Sequence, residues 1–230
     1  MRNTLLKFLS LIMAVFAFGI SGAAFAEETS LDGIGTTASI ERYTLEKPHT
    51  QIVFIGDHLG FSNSYGRFMD FDGEFVLNHD DLSKSSVNVV IDAASLEMGH
   101  EKWSAHLKNE DFLDVEKFPE IRFASDSVEL TGENTAKVNG ILSMHGVDKP
   151  VTLDVQHNKS GVHPFSGQYI AGFSAEAEIK RSDFGMTYGL PLLADNVKIK
   201  ISIEGIRSDG VDADGGDKAA ADDTNKNAEE

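Results

Sequence analysis

Two patterns predict an all-β domain. Apolar residues two apart, at Val87, Val89 and Ile91 and again at Val197, Ile199, Ile201 and Ile203, turn one face of an extended chain toward a core. Short segments of this kind recur between clusters of Gly, Asn, Asp and Pro, as at Thr131-Gly-Glu-Asn134 and Asn158 to Gly161. Many short strands joined by local turns build an antiparallel barrel or a sandwich, and periodicity alone does not separate the two.

The chain opens with a different kind of sequence. Arg2 and Lys7 give a positive start, Phe8 to Ile20 an apolar run, and Ala24-Phe-Ala26 a small-residue cleavage site, so residues 1–26 read as a secretory signal peptide. The apolar run is too short for a spanning helix, which takes about 20 residues. Residues 27–40, rich in Gly, Thr and Ser, read as a flexible N-terminal segment. The folded part is then residues 41–207, enough for one domain with a sizeable core. Strands are expected at Tyr43 to Leu45, Gln51 to Ile55, Gly73 to Leu77, around Val87 to Ile91, Ile121 to Glu129, Ala136 to Ser143, Val151 to Gln156, Tyr169 to Lys180 and around Val197 to Ile203. Between two of them, Ala94 to Asn109 places Trp103 and Leu107 four apart with His106 beside them, the spacing of a short helix. Residues 208–230 carry acids and almost nothing apolar, and read as a disordered acidic tail.

Charge and cysteine content limit the partners. The chain has a net charge of −17, which becomes −19 once the two bases of residues 1–26 are removed. Such a surface repels phosphate backbones, so nucleic acid is not expected as a partner, and contact with anionic membranes should be transient. With no cysteine there is neither a disulfide framework nor a lipidated N-terminal cysteine, and the mature chain should be free in an oxidising compartment.

The segment His106-Leu-Lys-Asn-Glu-Asp-Phe-Leu-Asp-Val-Glu-Lys-Phe-Pro-Glu-Ile-Arg-Phe123, together with Met144-His-Gly-Val-Asp-Lys-Pro-Val-Thr-Leu-Asp154, resembles the YceI-like family. His58-Leu-Gly, Gly66-Arg-Phe and Arg181-Ser-Asp-Phe-Gly185 extend the resemblance from roughly Tyr43 to Arg207. It implies an extended, lipocalin-like antiparallel β-barrel of about eight strands. It also implies a periplasmic protein that holds a polyisoprenoid lipid, an isoprenoid quinone or an isoprenyl phosphate, with no catalysis. Family members can be dimeric, so a homodimer is a further partner to consider. In one place the chain departs from the family: Leu190-Pro-Leu-Leu-Ala-Asp-Asn196 stands where members carry a glycine-rich Gly-Asp turn.

A hydrocarbon ligand needs an elongated apolar interior rather than a reactive group. Phenylalanine is abundant, at 15 residues, and Phe54, Phe61, Phe68, Phe75, Phe123, Phe173 and Phe184 are the candidate lining. A filled interior with those rings as ordinary core is the alternative. Arg67 and Arg181, inside family-like motifs, offer guanidinium forks to a polar head, or else pair with acids such as Asp70 and Asp183. His58 is either a head-group ligand or a turn residue, whereas His145 reads as a turn. Neither a His-x-His nor a His-Glu-x-x-His occurs, and a Gly-x-Ser-x-Gly, a P-loop and a dinucleotide fingerprint are equally missing from the sequence. No metal, catalytic residue or cofactor other than the bound lipid is therefore expected. Two other classes stay open: a filled-barrel envelope stress or interaction protein, and a secreted hydrolase.

Overall fold

The computed structural model describes residues 39–208. The expectations for residues 1–26, for most of residues 27–40 and for the tail beyond Ser208 lie outside it. Eleven strands and one helix follow in order: β1 Ile40–Leu45, β2 Gln51–His58, β3 Ser62–Phe68, β4 Phe71–Asn78, β5 Ser86–Asp92, β6 Leu96–Glu97, α1 Glu101–Lys108, β7 Glu120–Leu130, β8 Thr135–Met144, β9 Val147–Val162, β10 Tyr169–Lys180 and β11 Asn196–Arg207.

Every pairing is antiparallel between neighbours in the meander, and β11 returns to β1 through Tyr43↔Arg207 and Leu45↔Gly205. The sheet thereby closes as an eight-strand ring, β1-β4-β5-β7-β8-β9-β10-β11, which is the predicted barrel. Three of its staves are bent. β2 continues β1 along β11 after a 3-10 turn at Lys47–His49, β3 runs on into β4, and β5 runs on through Ala93–Ser95 into β6. These upper pieces pair as β11-β2-β3-β6, and β6 makes no pairing with β7, so the ring is complete in its lower half only. There α1 and the chain that follows connect the two unpaired strands, and the Met98 N–H donates to the Ser104 hydroxyl (2.9 Å) to tie the helix to the strand end.

Three elements differ from expectation. Ser62–Phe68 reads as polar because only Phe68 on its inward side is apolar, yet it is strand β3, held by full pairing from Ile52↔Phe68 to His58↔Ser62. The helix is shorter than Ala94 to Asn109, since Gly99 (φ 73°) breaks the chain between β6 and α1. Asn158 to Gly161 is not a turn: β9 runs through it, and the extra residue is absorbed as a bulge where the register against β10 shifts at Gly172/Phe173. His145 (φ 53°) and Gly146 (φ 74°) are the two central residues of the β8–β9 hairpin, as both positive angles require of such a turn.

The lower half is filled. Tyr43, fully buried, stacks on Phe75 (4.7 Å between centroids), Phe75 meets Phe173 edge-on (5.4 Å), and Phe173 meets His157 (5.1 Å). Beneath them Glu41 accepts hydrogen bonds from the Tyr43 hydroxyl (2.6 Å), the His79 ring (2.9 Å) and Arg207 (2.8 Å). Burial works to raise the Glu41 pKa, but these donors and the charges of His79 and Arg207 outweigh it and hold the carboxyl below its ordinary value. Burial, and then the Glu41 carboxylate beside it, push the Tyr43 phenol well up. The barrel is therefore stoppered at this end by an aromatic stack on a buried ion network.

Candidate functional site

Above the stopper the barrel is hollow, with a cavity of ≈ 410 Å³. The size suits a small-molecule or single-chain ligand. Leu45, Val87 and Ile203 form its floor: Val87 and Ile203 are the cross-strand neighbours of Phe75 and Phe173, and Leu45 follows Tyr43 on the inward side of β1. Its wall is made by inward residues of the strands, Ile52, Phe54, Phe68, Val89, Phe123 and Ile201 among them, and by Met98, Met144 and Met186, whose unbranched side chains fit irregular hydrocarbon. Trp103, His106 and Leu107 of α1 and Phe112 after it complete the side where β6 and β7 do not pair.

Polar side chains in the lining are confined to one end: Asp57, His58, Ser64, His106 and Arg181, with the Trp103 indole. The exposed members of the lining, Asp57, His58 and Trp103, sit there too, which identifies the mouth, and the His58 and Trp103 rings lie 6.3 Å apart. The site is an apolar sleeve with a small polar collar.

Two cross-strand glycines shape the sleeve. A Cβ on Gly66 would stand 2.1 Å from Phe54 Cζ and 2.5 Å from Met98 Sδ, and one on Gly140 would stand 2.7 Å from Phe123 Cζ. The tip of each ring occupies the space that a side chain would fill above the bare glycine backbone. The Gly66-Arg-Phe motif is explained by this: Gly66 makes room for Phe54, Arg67 points outward, and Phe68 points back in, 5.8 Å from Phe54.

Of the ten residues singled out in the sequence, Phe54, His58, Phe68, Phe123 and Arg181 line the cavity. The other five stand elsewhere. Phe61 is 86% exposed on the β2–β3 hairpin. Arg67, on the outward parity of β3, pairs with Glu97 (3.3 Å), while Asp70 pairs with Lys47 (3.0 Å). Phe75 and Phe173 are the stopper, and Phe184 is buried in the core within a 3-10 turn, its carbonyl accepting from His145 Nδ1 (2.8 Å). Period-2 parity could have excluded Arg67, because Ser64, Gly66 and Phe68 share the opposite face.

Arg181 has a task of its own. Buried at 6% exposure, it donates from Nε to the Ala194 carbonyl (2.8 Å), from Nη1 to Met186 (2.8 Å) and from Nη2 to Leu193 (3.4 Å). Its guanidinium also lies over the Phe112 ring (5.8 Å). Beside it Asp195 accepts from the Ser182 hydroxyl (2.7 Å) and backbone N–H (2.9 Å), which hold that carboxyl below its ordinary value. Arg181-Ser-Asp-Phe-Gly185 is thus a clasp for the segment from Met186 to Asp195, the stretch that carries the unusual Leu190-Pro-Leu-Leu. Outside the cavity, Glu46, His49 and Glu204 bring candidate ligand atoms within 4.8 Å, but Glu46 already accepts from the His49 backbone N–H (2.8 Å) and ring (2.9 Å) as a turn cap.

Comparison with known proteins agrees with this geometry. Residues 43–205 match the YceI-like domain family. A UPF0312 protein of Serratia proteamaculans is 40% identical over 188 residues, covering 82% of this chain and 91% of its own, and one of Pseudomonas putida is 38% identical over 80% of this chain and 96% of its own. Among solved structures, a Campylobacter jejuni YCEI protein superposes with TM-score 0.59 at 27% identity, over 66% of this chain and 90% of that one. BcnA of Burkholderia cenocepacia shares the fold at TM-score 0.64 and 22% identity, over 70% and 98% of the two chains. A polyisoprenoid binding domain from Saccharophagus degradans, implicated in plant cell wall breakdown, shares it at TM-score 0.55 and 14% identity, over 72% and 98%.

Proposed function

The chain belongs to the YceI-like family, and from that premise we propose that its barrel is a periplasmic carrier for a polyisoprenoid lipid with an uncharged, quinone-like head. The observation that carries this reading is the division of the cavity into an apolar sleeve and a polar collar whose one arginine, Arg181, is buried and turned onto backbone carbonyls. Arg181 turns three of its five N–H donors onto backbone carbonyls, and Asp57 adds negative charge to the collar. A phosphate there would be desolvated opposite a carboxylate, an arrangement that costs free energy. A quinone carbonyl needs only a donor, which His58, His106 or Ser64 supplies.

The tail explains why binding is reversible. Moving a CH₂ out of water yields about 0.8 kcal/mol, but a bilayer interior provides the same environment, so transfer from membrane to barrel is close to neutral. Near-neutral exchange is what a carrier requires. The leader-like residues 1–26 and the cysteine-free chain support export, and the apolar lining favours binding over catalysis.

The test is native mass spectrometry of protein purified from cell envelopes without detergent, followed by extraction and by uptake of ubiquinone-10 against undecaprenyl phosphate. One neutral isoprenoid per chain, and preference for the quinone, are expected. A barrel that stays empty and refuses both would sink the carrier reading; preference for the phosphate would sink the neutral head.

A further inference from the structure

The tip of the β2–β3 hairpin is built at odds with ordinary surface chemistry. In a chain of net charge −17, residues 58–65, His-Leu-Gly-Phe-Ser-Asn-Ser-Tyr, contain no Asp, Glu, Lys or Arg. Leu59 (φ 58°) and Gly60 (φ 76°) both lie in the left-handed region, which a branched apolar side chain seldom adopts. Leu59 is 45% exposed and Phe61 86% exposed. Asn or Gly would make the same turn without strain, so the fold holds a leucine outward at a conformational cost. The one acid at its base, Asp57, turns its carboxylate onto the Gly60 N–H (2.8 Å).

This tip borders the mouth of the cavity, since His58 is a mouth residue. Next to the lining residue His106, Tyr188 stands half-exposed with its ring 5.3 Å away, and exposed Leu192 precedes the lining residue Leu193. We propose that this rim, led by Leu59 and Phe61, is the face with which the protein docks on a lipid bilayer. The proposal rests on the carrier reading: a hydrocarbon tail passing between sleeve and membrane avoids water only if the mouth is seated in the apolar layer. Uncharged Leu and Phe flanked by Tyr suit the bilayer interface. The strong negative charge of the rest of the chain favours a zwitterionic surface and keeps the docking brief.

The single tryptophan, Trp103, stands at the mouth and reports the contact. Its fluorescence is to be titrated with vesicles of brominated phosphatidylcholine. The parent should be quenched. A Leu59→Asn/Phe61→Ser variant should partition on the order of a hundred-fold more weakly, the loss of two apolar side chains from a nonaqueous site. Asn relieves the left-handed strain, so this variant should melt no lower than the parent. Phe165→Ser removes a phenylalanine that is 94% exposed in the β9–β10 loop at the opposite end, and should leave quenching unchanged.

An unquenched parent, a double variant that partitions normally, or an equal loss in Phe165→Ser would overturn the proposal. So would a dimer seen by sedimentation that the double variant abolishes while vesicle quenching persists, which makes the rim a self-association face. Uptake of ubiquinone-10 from octyl glucoside micelles separates the two readings. A double variant that loads from micelles but not from vesicles supports docking; a parent that binds vesicles yet loads from neither source overturns the carrier reading alone.

Discussion

Gly66 is the point at which the size of the sleeve can be changed by a single methyl. In Gly66→Ala the new Cβ would lie 2.1 Å from Phe54 Cζ, 2.5 Å from Phe54 Cε1 and 2.5 Å from Met98 Sδ, so the Phe54 ring must leave the wall. It has somewhere to go, because its other face borders the hollow sleeve. The stability loss should therefore sit at the low end of overpacking, about 1 kcal/mol, or ~2–4 °C in melting temperature. The volume lost comes out of ≈ 410 Å³, and lipid uptake should fall much further than stability. Gly205→Ala makes the contrast. Its Cβ would meet Phe75 Cε1 at 2.3 Å and Tyr43 Cβ at 3.0 Å, inside a filled stack with no free side, and the cost should reach about 3 kcal/mol. The assay pairs thermal melts with quinone uptake, and adds Phe54→Leu to Gly66→Ala to vacate the contested space. If Gly66→Ala leaves uptake intact, or if the second substitution fails to restore it, the ring-on-glycine account of the wall is wrong.

Three other outcomes are expected. Arg181→Lys replaces a fork bound to three carbonyls with a point charge; it should lose ~3 kcal/mol and speed amide hydrogen exchange between Met186 and Asp195, and unchanged exchange there would refute the clasp. Glu41→Gln should narrow its deficit in acid: a carboxyl whose folded pKa is depressed stabilises above its unfolded value, near 4.3, and loses that contribution as pH falls through the folded value. Melts from pH 7 to pH 3 should show the gap between parent and variant closing, and a constant gap would contradict the network's electrostatic role. A saturating neutral quinone should raise the melting temperature, by an amount equivalent to about 2.7 kcal/mol at a hundred-fold excess over Kd, whereas an equal rise with undecaprenyl phosphate would contradict the neutral collar.

The strands with apolar alternation were legible because each has one wet and one dry face, and parity then orders every side chain on β5, β10 and β11. β3 was not legible, because a strand lining a cavity mouth needs no row of large apolar residues: Ser64 and Gly66 serve on its inner face. The site was half-legible for a related reason. A phenylalanine looks the same in sequence whether it lines a lumen, as Phe54 and Phe123 do, stoppers it, as Phe75 and Phe173 do, or stands in water, as Phe61 does. The face of α1 could be read from its spacing, and Trp103, His106 and Leu107 all reach the cavity. The role of Arg181 could not, since its partners are backbone carbonyls 5 to 13 residues away in the chain.

A tube whose wall is hydrogen-bonded all the way round has a fixed bore, because widening it means unzipping a seam. In this barrel the seam between β6 and β7 carries no ladder, and a single short helix stands in the gap like a removable plank. Below that level the calibre is locked by the closed ring; above it, the bore on that side is set by the packing of α1 and not by a ladder. On the carrier reading, a guest of larger girth would press on side-chain contacts at that seam and not on the hydrogen bonds of a sheet.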